Sequence, residues 1–169
     1  MLGYVTATGQ GEADRLLAGV AERLQAQGLR LAGAVQVNLD AGEGRKCFMD
    51  LHILSGEDVV RISQDLGALA QGCRLDPEGL ERAVGLAEAA LTPQTDLVII
   101  NKFGKQELFG RGFRPLIGEA LSRGVPVLLA VDAGNLEGFI AFSEGLGASV
   151  APNAEAVLGW VAQTLGETA

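Results

Sequence analysis

The stretch Tyr4–Leu17, "YVTATGQGEADRLL", decides how the chain is read. Apolar residues up to Ala7 form a short strand, Gly9 and Gly11 make a tight turn, and a helix starts at Glu12. From there Leu16, Leu17, Val20, Ala21 and Leu24 recur at helical spacing. Gln27-Gly28 stops the helix, and "LRLAGAVQV" (Leu29–Val37) is the next strand. A strand–helix–strand unit of this length places its two strands parallel. The turn after the first strand opens a helix, so its backbone N–H groups suit an anion.

The same alternation returns later. Asp76 caps a helix with Pro77 at its first position and Glu78 and Glu81 in its first turn, running to about Leu91. Asp96–Ile100 is a continuous apolar run, as expected of a central strand covered on both faces. A loop over 101–114, the helix "FRPLIGEALSRG", the buried strand "VPVLLAVD" and a short helix in "NLEGFIAFSEGLG" follow. "ASVAP" reads as an edge strand, and "NAEAVLGWVAQTL" as an amphipathic helix capped by Asn153. The middle differs. "CFMDLHIL" alternates and is joined to "DVVRIS" by a Ser-Gly turn, which predicts an antiparallel hairpin, an insertion or an extension of the sheet. The expectation is therefore one α/β domain over 1–169, three-layered with a mostly parallel sheet, with a hairpin and loop excursion at about 40–75.

Hydrophobic residues make up 48% of the 169 and charged residues 20%, enough for a packed core. A net charge of −8 opposes nucleic acid and anionic membrane. It also confines any anion site to a local cluster of N–H groups and cations. There is no apolar run of the roughly 20 residues that span a bilayer and no basic-then-apolar leader, so a cytoplasmic protein is expected. Cys47 and Cys73 form no framework and read as free thiols. With His52 they make a poor metal site, because Cys47 and His52 fall on opposite sides of a straight strand. No Ser-His-Asp set is readable, and Asp40, Asp50, Asp65 and Asp76 are scattered.

In parallel sheets ligands sit at the carboxyl ends of strands. Three segments converge there: Thr6–Glu12, Asn101–Arg114 and Asp132–Asn135. Thr6, Thr8, Gly9, Gln10 and Gly11 offer N–H groups and hydroxyls; Asn101, Lys102, Lys105 and Arg111, with Arg114 nearby, put cations on one loop of an acidic chain. A tetrahedral oxyanion needs such a mixture. The alternative reading makes Lys105 and Glu107 a solvated loop and Gly110 and Gly112 mere turn residues. Gln64 and Arg74 flank a loop long enough to serve as a lid. The last helix packs its Val157, Leu158, Val161 and Leu165 face on the sheet or on a second copy, with Trp160 as the interface candidate of a homodimer.

Two motifs carry a family resemblance: "NKFGK-E--GRG" at Asn101–Gly112 and "Q-LG----GC-LD" at Gln64–Asp76. They resemble an uncharacterised bacterial family related to the small phosphate-loop (P-loop) nucleoside triphosphatases, often encoded near molybdate-uptake genes. The resemblance covers most of the chain. It implies a P-loop-like fold and makes molybdate, tungstate or a nucleotide the candidate ligand. The departures from an active phosphate loop are concrete. In G-x-x-x-x-G-K-[ST], with Gly11 as the last glycine, Thr6 stands at the first glycine, Glu12 at the lysine and Ala13 at the hydroxyl. The apolar strand ends in Asn101 and Lys102 where a metal-binding acid is usual. A degenerate site without magnesium chemistry is expected. Three readings follow. The first is a non-hydrolysing anion- or nucleotide-binding protein. The second is a nucleoside triphosphatase or phosphotransferase in which Lys102 and Lys105 stabilise the transferred group and Asp132 positions water. The third is an oligomeric interaction protein with a vestigial site.

Overall fold

Strands β1 (Leu2–Val5), β2 (Leu31–Leu39), β3 (Phe48–Ile53), β4 (Val59–Arg61), β5 (Leu97–Phe103), β6 (Val127–Val131) and β7 (Ala148–Ser149) form one sheet. Their order is β4-β3-β2-β5-β6-β1-β7. This is a computed structural model, and it describes residues 1–6, 9, 11–39, 48–64 and 75–167. Strand β1 pairs parallel with β6 and β7, and β5 pairs parallel with β2 and β6. Strands β3 and β4 continue the sheet antiparallel beyond β2. The hairpin thus extends the sheet at one edge. The segments 40–47 and 65–74 that flank it, with Cys47, Cys73 and Arg74, lie outside the described residues.

Helices cover both faces. On one side α1 (Glu12–Ala26) and α6 (Ala154–Glu167) pack Leu17, Val20, Leu24, Val157 and Val161 onto Val5, Leu97, Ile99 and Leu128. On the other, α2 (Pro77–Ala90), α4 (Arg114–Ser122) and α5 (Leu136–Ser143) bury Leu80, Val84, Ile117 and Phe139 against Val98, Ile100 and Leu129. From Leu97 to Ile100 of β5 the two clusters alternate residue by residue, the signature of a strand buried on both faces.

The helix boundaries follow their caps. Asp76 accepts a hydrogen bond from the Glu78 N–H at 3.1 Å, with Pro77 opening α2. Asn153 accepts one from the Ala156 N–H at 2.8 Å and starts α6. Each satisfies a donor that the helix start leaves orphaned. Trp160 is half-buried rather than free at the surface. Its ring lies on β1, where a Cβ at Gly3 would stand 2.6 Å from Trp160 Cζ2.

The segment after the apolar run is not a plain loop. Strand β5 continues through Asn101 and Lys102 to Phe103, its pairing with β6 shifting register between Ile100 and Phe103. A short helix α3 (Lys105–Leu108) then precedes α4. Pattern reading ended the strand early because Asn and Lys mimic a strand exit. Among the described residues, no helix is long and apolar enough to cross a membrane.

Candidate functional site

Because β1, β2, β5 and β6 are parallel, their carboxyl ends open at one edge of the sheet, where ligands of such sheets sit. Beside the ends of β2, β5 and β6 lies a cavity of about 410 Å³. One wall is apolar: Met49 and Ile62 from the hairpin region, Leu75, and Leu80 from α2. The other is polar: Gln36, Asn101, Lys102, Lys105, Asp132 and Asn135. The arrangement brings together Asn101, Lys102, Lys105 and Asp132, four of the residues singled out from sequence.

Asn101 is the anomaly of this wall. It is 1% exposed, and neither Oδ1 nor Nδ2 of its side chain has a hydrogen-bond partner. Buried polar groups in proteins are otherwise almost always paired, and an unpaired one costs about 1–3 kcal/mol. Lys102 Nζ stands 3.7 Å from Asp132 Oδ1, both side chains partly open to solvent. That separation is long for a charge-assisted hydrogen bond, so the lysine remains available to an incoming anion.

Arg111 does not join this group. It is exposed and borders a separate depression with Glu78, Glu81 and Arg82. The reason is the fold of the "GKQELFGRG" segment, which is organised by Glu107. That carboxylate is 3% exposed. Its Oε1 accepts from the Gly104 N–H at 2.8 Å and its Oε2 from the Phe113 N–H at 2.9 Å. Burial pushes its pKa above the usual carboxylate value, against the opposing pull of these two N–H donors. Gly112 has φ +60°, and a Cβ there would collide with Glu107 Oε2. Its N–H donates to Glu81 Oε1 at 2.9 Å. Arg114 donates to the carbonyl oxygens of Glu107 and Leu108, and its guanidinium lies 4.7 Å from the Phe142 ring centre. The motif is therefore a closed structural turn. Glu107 is its buried pivot rather than a solvated charge, and Gly112 is needed beside it.

At the first glycine turn, Thr6 is half-buried at the end of β1, and Gly11, at φ +71°, opens α1. Thr8 and Gln10 lie outside the described residues. The Gly9 N–H donates to Glu12 Oε2 at 3.2 Å. Glu12 thus lends the turn its own carboxylate. Behind it, a polar chain that sequence reading missed runs toward the cavity. Asn38 Nδ2 donates to Asp14 Oδ2 at 2.8 Å, and Gln36 Nε2 donates to Asn38 Oδ1 at 2.9 Å. Asp14 and Gln36 are both buried. The only sequence signal was polar residues closing an otherwise apolar strand.

Gln64 uses its Nε2 to bond the Leu75 carbonyl at 2.9 Å, beside the antiparallel bridge of Ser63 with Leu75. The bond joins the described residues on either side of 65–74. Among the described residues there is no cluster of His, Cys, Asp and Glu able to hold a metal ion.

Residues 2–160 match the family model described as "Protein of unknown function (DUF2478)". The chain belongs to that family. This DUF2478 chain is also similar to the Molybdenum import ATP-binding protein ModC 2 of Bradyrhizobium diazoefficiens, with 36% identity over 152 residues. The match covers 89% of the chain and 17% of that protein, so the chain spans less than a fifth of its relative's length. No solved structure matches the DUF2478 chain.

Proposed function

We propose that the cavity at the ends of β2, β5 and β6 binds a small anion or a nucleotide, and that it does so without magnesium-dependent hydrolysis. The observation that carries this reading is the unpartnered, buried Asn101 amide in the wall that also presents Lys102 and Lys105. Polar groups left unsatisfied in a native interior gather at sites where a ligand completes them. The similarity to a molybdenum import ATP-binding protein makes molybdate, tungstate and adenine nucleotides the first ligands to try. The absence of hydrolysis is argued from Glu12 and Ala13, which stand where a phosphate loop needs lysine and a hydroxyl. Asn101 and Lys102 likewise stand where it needs an acid.

The test is a thermal-shift series with molybdate, tungstate, sulfate, phosphate, ADP, ATP and GTP, each with and without magnesium. A ligand present at 100 times its Kd adds about 2.7 kcal/mol to stability. The expected result is a magnesium-independent shift that Lys102→Ala reduces, with affinity falling about tenfold or more. Unaltered affinity in Lys102→Ala removes the assignment. Asp132 beside Lys102 favours a second reading, phosphoryl transfer with Asp132 positioning water. Phosphate release from a nucleoside triphosphate, lost in Lys102→Ala, would establish it.

A further inference from the structure

The cavity's two walls differ in chemistry. Met49, Ile62, Leu75 and Leu80 line the cavity with apolar side chains, and nothing in a bare tetrahedral oxyanion can cover them. Such an ion would also leave most of the 410 Å³ empty. Organic ligands commonly occupy sites of about 300–1,000 Å³ that are mostly apolar with a few convergent polar groups.

The polar wall narrows the class further. Asn101 holds an unpaired donor and an unpaired acceptor on one amide. An asparagine amide matches the adjacent donor and acceptor on a purine edge, as it does with adenine in nucleic-acid recognition. Gln36 has its amide orientation fixed by the bond to Asn38. The charges are modest: Lys102 stands 3.7 Å from Asp132, and Lys105 and Glu107 are also in the lining. That balance suits one phosphate group and is too weak for the accumulated charge of a triphosphate.

We infer that this cavity takes a planar heterocycle bearing a single phosphate, the class of the purine nucleoside monophosphates. The ring lies along the Met49–Leu80 wall, its hydrogen-bonding edge meets the amide side, and the phosphate meets Lys102 and Lys105. The inference rests on the reading above that this cavity is a ligand site.

Titration calorimetry with AMP, GMP, adenosine, guanosine, ATP, inorganic phosphate and molybdate tests it on the wild-type chain, Lys102→Ala and Met49→Ala. Met49 is half-buried, and circular dichroism establishes that each variant is folded. The expected result is that AMP or GMP binds at least about tenfold tighter than phosphate, molybdate or ATP, and tighter than the matching nucleoside. Met49→Ala should weaken the nucleotide by about three- to tenfold while leaving inorganic anions unchanged. Lys102→Ala should weaken every phosphate-bearing ligand. Inorganic anions binding as tightly as AMP and GMP would overturn the inference and leave the anion-site reading standing. Tighter binding of ATP than of either monophosphate would overturn it likewise. Nucleotide binding undiminished in Lys102→Ala, or no binding by any ligand, would remove both. The ligand comparison on the wild-type chain decides the matter even where a variant does not fold.

Discussion

Replacing Asn101 by leucine is the sharpest perturbation the structure offers, because an ordinary core residue and a ligand-site residue respond with opposite signs. Asn101 is 1% exposed and both polar side-chain atoms lack a partner. Leucine has the same branching and no polar atoms. Removing the unpaired amide should return about 1–3 kcal/mol. The larger side chain costs something in a packed interior, up to about 1–3 kcal/mol where no space exists. Here the 410 Å³ cavity borders the residue and relieves that strain. The net expectation is a ligand-free protein more stable by about 1 kcal/mol, or about 2–4 °C in Tm for a chain of this size. Urea unfolding and thermal melting of the two proteins, without added ligand, measure it. Ligand affinity should fall in the same variant, giving the trade of stability for function expected at a binding site. A loss of more than about 1 kcal/mol would refute the reasoning, since it would mean that the amide is satisfied in solution and forms ordinary core.

Other outcomes follow from the turn around Glu107 and from the first glycine turn. Burial raises the Glu107 pKa, so its folded state favours the protonated acid. Its contribution is fully present below the unfolded value near 4.5 and is lost as pH rises through the raised folded value. The stability advantage of wild type over Glu107→Gln should therefore be largest in acid and shrink as pH climbs above that range, as read from urea midpoints against pH. Gly112→Ala should destabilise by about 1–3 kcal/mol, since its methyl group strikes Glu107 Oε2 at a left-handed backbone position. Calorimetric melting would show it, and an unchanged Tm would remove the structural role given to that glycine. Glu12→Ala removes the acceptor of the Gly9 N–H and should cost only about 0.3–1 kcal/mol, less at high salt. Anion affinity in that variant should be equal or higher, and a clear loss of affinity would show that Glu12 assists binding.

The fold was legible wherever a local rule acted alone. Asp76-Pro77 and Asn153 announced their helices because a cap is a short-range bond. The apolar run at Leu97–Ile100 announced a central strand because both of its faces are covered. The cavity lining was legible in part. Lys102 and Lys105 stand out in the sequence because cations are conspicuous in an acidic chain, and Asn101 because it ends the apolar run. Arg111 was grouped with them by sequence distance, yet beyond the turn pinned by Glu107 it borders a neighbouring depression that meets the cavity at Gln106. Burial of Glu107, and the chain from Asp14 through Asn38 to Gln36, depend on partners far away in sequence. No periodicity signals such contacts. The hydrogen bond that Glu12 accepts from the Gly9 N–H within its own turn is likewise a contact that the sequence pattern does not announce.

Trp160 is the chain's one tryptophan, and its indole rests on Gly3 of β1, which pairs with Leu128 of β6 and Ala148 of β7. Nature has placed a single optical reporter over the seam between the last helix and the first strand. Its emission reads the local environment of that seam free of competing indoles, whereas circular dichroism reads the helices as a whole. Where the two signals melt together, α6 and the sheet unfold as one cooperative unit. Where emission changes first, the seam loosens ahead of the rest, just upstream of the Gly9 turn.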